Sequence, residues 1–146
     1  MCSNIELFDE YAAKLFSHLY QTFPVKQQID ILEFFDLGSF DRLNPRQILD
    51  ESGLADSSAE RKAEIAWHTL TWLSETGFVT LERLQPYHTA TGVTLTVKGL
   101  EVLKSEPSSL KPQKRIGNEL IAALKVGNLE VAKELIRQAV RLSIMS

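Results

Sequence analysis

Three histidines and one cysteine are the side chains best suited to acid-base, nucleophilic or metal chemistry, and their spacing supports none of it. His18, His68 and His88 are far apart in sequence, Cys2 sits at the N-terminus, and neither H-E-x-x-H nor paired Cys/His spacing occurs. A zinc site needs several closely grouped ligands, and a thiol nucleophile needs a base to activate it. A lone cysteine also excludes an intrachain disulfide and a four-thiolate zinc site. No glycine-rich phosphate loop follows a strand, so the expectation is a non-enzymatic protein that takes no cofactor or metal.

The remaining chemistry is that of charge and apolar contact. The net charge of -3 conceals a division after Leu110: residues 1–110 carry 9 Lys/Arg against 16 Asp/Glu, and residues 111–146 carry 7 against 3. A basic tail on an acidic body docks on that body or a partner subunit, or is drawn to nucleic acid or an anionic membrane surface. The tail cations are spread along two helical patterns, from Lys111 to Arg141, and form no dense run. At 146 residues the chain is long enough for one domain with an appendage. It has no apolar run of about 20 residues and no signal-peptide pattern, which makes a cytoplasmic protein without membrane insertion the default expectation.

Hydrophobic spacing gives the elements that must position these groups. Ile5, Phe8, Ala12, Leu15, Phe16 and Leu19 predict a first helix over Ile5 to Phe23, capped by Asn4, with His18 on its solvated side. Pro24 opens a second helix with a stripe of Val25, Ile29, Leu32 and Phe34 or Phe35, ended by Gly38. After a link at Ser39 to Leu43, Asn44-Pro45 starts a short helix from Arg46 to about Ser52. Ser57 or Ser58 caps a longer helix to Thr76, with Ala63, Ala66, Trp67, Leu70 and Leu73 inward and Gly77 as its exit.

There the period becomes twofold. Phe78–Leu84 and Val93–Val97 are predicted strands around the polar loop Gln85–Gly92, and Thr96 caps a short helix carrying Leu100 and Leu103. Pro107, Ser108, Ser109 and Pro112 form a linker. Arg115–Lys125 and Leu129–Ser143 then predict an antiparallel helical hairpin turning at Val126-Gly127-Asn128. Its sequence resembles the helix pair of one ankyrin repeat, but one repeat cannot bury its own face. The predicted architecture is mainly α with a small antiparallel β-hairpin: an N-terminal helix (1–23), a central unit (24–106) and a C-terminal helical hairpin (113–146).

The central order of helix, turn, longer helix, strand, loop, strand and short helix is that of a winged helix-turn-helix unit. The stretch Leu70-Thr-Trp-Leu-Ser-Glu-Thr-Gly-Phe-Val79, with Gly92-Val-Thr-Leu-Thr-Val-Lys-Gly-Leu-Glu-Val-Leu103, resembles the corresponding part of MarR-like winged-helix transcription regulators. The resemblance implies a DNA-binding regulator working as a homodimer through helices outside the wing, with the long helix in the major groove. By position it makes Arg61, Lys62, Ile65, His68 and Thr69 candidates for the groove, and Arg42, Arg46 and Arg83 for phosphates.

The charges point the other way. The loop Gln85–Gly92 has no Lys or Arg, and Glu60, Glu64 and Glu75 offset Arg61 and Lys62 on the long helix. The alternative is therefore an adaptor that binds protein through Ile65, Trp72 and the wing with Tyr87 at its tip, whereas Leu135, Ile136 and Val140 of the terminal hairpin are contact candidates for pairing the subunits of the DNA-binding dimer. Trp72 lies off the inward stripe and either anchors a partner or packs beneath a terminal helix. A third reading lays the basic tail on a membrane surface.

Overall fold

The computed structural model describes residues 3–40, 48–49, 57–85, 88–104 and 115–145. Its first helix, α1 (Asn4–Thr22), is capped by Ser3, whose hydroxyl accepts from the Glu6 amide at 3.2 Å. The expected cap, Asn4, is instead the first helical residue. Leu7, Tyr11, Ala12, Ala13, Leu15, Phe16 and Leu19 are all buried, so α1 is enclosed on more than one side, while Ile5 stands 72% exposed.

The first large departure from the sequence pattern follows Pro24. Gln27–Asp30 is a strand, β1, and only Ile31–Phe34 is helical (α2). Val25, Ile29, Leu32 and Phe35 satisfy helical spacing, but β1 is claimed by a partner remote in sequence: Ile29 lies opposite Ala90 and Asp30 opposite Thr89. Ile29 is fully buried as part of this strand, and the ladder to the later strand outweighs the helical spacing. A second correction concerns the short helix expected at Arg46–Ser52. Ile48–Leu49 (β3) is extended and pairs antiparallel with Ser39–Phe40 (β2). Asn44, Pro45 and Gly53, the expected signals of that helix, lie outside the described residues.

The long helix forms as α3 (Ser57–Glu75), with Ala59, Ala63, Ala66, Trp67, Leu70 and Leu73 buried along its inner side. It stops at Gly77, whose φ of +87° is open to glycine, and the Phe78 amide closes the turn onto the Leu73 carbonyl at 2.9 Å. The chain then forms β4 (Val79–Thr80), β5 (Arg83–Gln85) and β6 (Thr89–Leu95). The ladder runs through most of the stretch expected as a loop, because β6 is the central strand: β1 pairs along one side, and β4 and β5 along the other. Val97 begins the next helix and does not end the strand.

Thr96 caps that helix, α4 (Val97–Lys104), accepting from the Gly99 amide at 3.1 Å. Beyond the linker region, which lies outside the described residues, α5 (Ile116–Lys125) and α6 (Leu129–Met145) form the expected hairpin. Asn128 bonds its amide to the Ala123 carbonyl at 2.8 Å, and its side chain accepts from the Val131 amide at 3.2 Å. The result is a mainly helical chain with a small four-stranded antiparallel sheet. One apolar core runs from α1 through α3 and the sheet to α5 and α6, so the terminal elements bury the same surface as the centre.

The basic tail is tied to the acidic body by a contact between α1 and α6. Arg137 Nε donates to Asp9 Oδ2 at 3.2 Å, and its Nη1 donates to Glu134 at 3.3 Å. Asp9 is 4% exposed. Burial raises its carboxyl above the ordinary range, and the Arg137 charge opposes that rise. A carboxyl raised in the folded state keeps its proton to a higher pH than in the unfolded chain. Its burial therefore weighs against stability as pH climbs through the folded-state value. Arg137→Met removes the main lowering influence, so the melting temperature of this variant is expected to fall below wild type at about pH 7. The gap is expected to narrow on acidification from there as Asp9 takes up its proton. Thermal melts at successively lower pH check it, and a gap independent of pH would contradict the assignment.

Candidate interaction groove

Along α3, positions 61, 65, 68 and 72 are spaced 4, 3 and 4 residues apart, which puts Arg61, Ile65, His68 and Trp72 on one stripe away from the buried alanines and leucines. This stripe forms one wall of an open groove with a volume of about 840 Å³. Asn4 and Phe8 of α1 and Val140 of α6 form the other side, with Glu64 and Thr69 completing the lining.

The tryptophan is held on two sides and open on a third. Phe8 meets the Trp72 indole edge-to-face at 5.2 Å, Phe78 lies nearly parallel to it at 6.3 Å, and the residue stays 39% exposed. Such a fixed, half-open aromatic is a low-entropy anchor for a partner. At the other end of the stripe, Arg61 Nη2 donates to Asn4 Oδ1, linking α3 to the start of α1. Thr69 is buried, and its hydroxyl donates to the Ile65 carbonyl at 2.7 Å, so its polarity is satisfied within the helix.

The two exposed cations of the helix, Arg61 and Lys62, stand beside exposed Glu64 and half-buried Glu60, and exposed Glu75 closes the far end of the helix. On the hairpin, Arg83 is exposed, and its neighbour Glu82 pairs with Lys26 at 2.5 Å. The hydrogen bond and charge of Lys26 hold the Glu82 carboxyl below its ordinary range. Neither element carries a one-signed positive surface.

The structure thus brings together Arg61, Ile65, His68, Thr69, Trp72 and Val140 from the residues singled out in the sequence, and places Arg83 apart on β5. Leu135 and Ile136, expected as contact residues, are buried in the core at 3% and 0% exposure, so α6 offers the groove Val140 in their place. Arg42, Arg46 and Tyr87 lie outside the described residues. His18, expected on the solvated side of α1, packs against Phe34 at 5.2 Å between ring centroids, and Lys14 of the same helix pairs with Glu10 at 3.3 Å.

Sequence reasoning missed Phe8 and Asn4 as groove residues. Phe8 falls in the apolar stripe of α1 and reads as core, and Asn4 reads as a helix cap. Neither pattern reveals that α3 ends up alongside the first turn of α1. Among the described residues no group of three or more His, Cys, Asp or Glu side chains is arranged to hold a metal ion, and no helix is long and apolar enough to cross a membrane.

Fold and site together define a mainly helical chain with a small antiparallel sheet and an aromatic groove along its longest internal helix. Compared with models of known protein families, with curated proteins and with solved structures, the chain has no match.

Proposed function

We propose that this chain is a winged-helix interaction module that receives a protein partner in the groove along α3. The winged-helix reading is supported by the order α1, β1, α2, α3 and hairpin, with β1 on the far side of the last hairpin strand from β4. The observation that carries the functional reading is Trp72: a half-exposed indole fixed by Phe8 and Phe78 in a groove with Ile65 and Val140. The helix that a DNA-binding regulator would lay in the major groove here presents an aromatic anchor among charges of both signs.

A second reading, the dimeric DNA-binding regulator, is favoured by the exposure of Arg61 and Lys62 on α3 and Arg83 on the hairpin. One experiment separates the two. Helical peptides are selected by display on the wild-type protein and counter-selected on Trp72→Ala, whose folding is verified by circular dichroism. The interaction reading expects sequences with apolar residues at i, i+3 or i+4, and i+7 that bind wild type and lose binding on Trp72→Ala. The opposite outcome is a selection without Trp72-dependent peptides, joined by duplex DNA binding that weakens at least tenfold between about 50 and 200 mM salt. Loss of that binding on Arg61→Ala, Lys62→Ala or Arg83→Ala would establish the DNA reading.

A further inference from the structure

We infer that the partner received by the groove is an amphipathic helical segment of another protein, with an acidic residue, a basic residue one turn along and apolar residues beyond. The inference rests on reading the groove as a protein-contact surface and names the chemistry of the partner. It comes from a pair of charges that the chain itself leaves unmatched. On the other long helices, charged neighbours one turn apart pair with each other: Lys14 with Glu10 on α1 and Arg137 with Glu134 on α6, both at 3.3 Å. Arg61 and Glu64 have the same kind of spacing on α3, and both are exposed and line the groove. Among the described residues, however, the Arg61 guanidinium bonds only to the neutral Asn4 side chain, and Glu64 forms no ion pair.

The order of the two residues accounts for the difference. Glu134 precedes Arg137, the favourable sense along a helix dipole, whereas Arg61 precedes Glu64, the sense that gains least. Arg61 turns across the groove to Asn4 of α1 instead. The groove thus has a polar end, with a held cation and an anion one turn on, and an apolar end where Phe8 meets Trp72.

From Arg61 to Trp72 the helix covers about 16 Å, the length of about three turns. A facing helix of that length sets a carboxylate against Arg61, a cation against Glu64 and apolar side chains against Ile65 and Trp72. A uniformly acidic segment would meet Glu64 as a like charge, and a wholly apolar one would strip water from both charges without replacing it. Because both charges lie at the exposed rim, their match contributes modestly to affinity and mainly to the choice and direction of the partner. Trp72 and Ile65 supply the apolar contact.

Peptide display on the full chain tests the sign pattern. The probe is a library of alanine-rich peptides of about 16 residues, long enough to hold a helix, randomised along one face. It is selected on wild type and on the double variant Arg61→Glu with Glu64→Arg, in which the two charges change places. Circular dichroism verifies that each protein is folded. Wild type is expected to select Asp or Glu with Lys or Arg three or four positions nearer the apolar anchors, and the exchanged protein to select the two signs in reverse. A wild-type peptide is expected to bind the exchanged protein at least about tenfold more weakly, because both contacts become like-charge. The neutral double variant Arg61→Gln with Glu64→Gln is expected to lose the sign preference at both positions. Trp72-dependent peptides whose charges ignore the exchange, or bind both proteins equally, would overturn the inference and leave the interaction reading standing. If the exchanged chain fails to fold, the neutral variant decides, and an unaltered sign preference on it overturns the inference. A selection without any Trp72-dependent peptide would overturn both the inference and the reading beneath it.

Discussion

Replacing Phe78 with alanine is expected to remove about 3–5 kcal/mol of folding stability, the range for truncating a fully buried phenylalanine. Phe78 is 1% exposed and sits where three elements meet. Phe16 of α1 packs edge-on against its ring at 5.7 Å, Trp72 of α3 lies nearly parallel at 6.3 Å, and Lys98 Nζ of α4 stands over it at 4.6 Å. Removing the ring leaves a cavity between α1, α3 and α4 and withdraws the support behind the Trp72 indole. In a chain of this size the loss corresponds to a melting temperature lower by roughly 10–15 °C. Phe78→Leu, which refills most of the volume, is expected to retain most of the stability. Urea unfolding compares the three proteins. A Phe78→Ala variant within about 1 kcal/mol of wild type would contradict the role given to this junction.

The second large effect reverses an ordinary rule. Glycine inside a helix normally costs about 1 kcal/mol relative to alanine, so Gly99→Ala in α4 would stabilise an isolated helix. Here a β-carbon at Gly99 would lie 2.2 Å from the Phe78 carbonyl oxygen and 3.3 Å from Leu95 Cδ2. The carbonyl cannot retreat freely, because it accepts from the Thr96 amide at 3.1 Å, and Thr96 caps the same helix. Forcing α4 away separates it from the hairpin and opens the cap. We expect Gly99→Ala to destabilise by about 2–4 kcal/mol. Chemical denaturation reads the sign directly: a more stable Gly99→Ala protein would mean that α4 does not rest on the Phe78 backbone.

This junction was also the most legible part of the sequence. Thr-Gly-Phe-Val after an apolar helix marks an exit, a left-handed glycine and an inward ring, and each occurs at Thr76 to Val79. Thr96 announced its helix start because its hydroxyl acts on an amide close by in the chain. Local chemistry was sufficient in those places.

What the sequence hid depends on partners far along the chain. Gln27–Asp30 has helical spacing, yet it becomes a strand because β6, some 60 residues on, offers an unpaired side. Ile48–Leu49 is extended for the same kind of reason, by pairing with Ser39–Phe40. The groove shares this property. Ile65 and Trp72 could be seen to lie off the inner stripe of α3, but Phe8 became a groove residue only when α1 packed alongside. Asp9 and Arg137 are 128 positions apart and carried no pairing signal.

If the outward side of α3 is a protein-contact surface, the Trp72 indole reports on it directly. The chain has two tryptophans, and Trp67 is buried at 5% exposure, so Trp67→Phe leaves Trp72 as the single reporter. Its emission is followed at about 150 mM salt while the strongest peptide selected on the groove, and separately a mixed-sequence DNA duplex, are added. A blue shift is expected with the peptide, as the indole leaves water, and no response to the duplex. Emission that shifts with DNA and ignores the peptide would contradict the protein-contact reading.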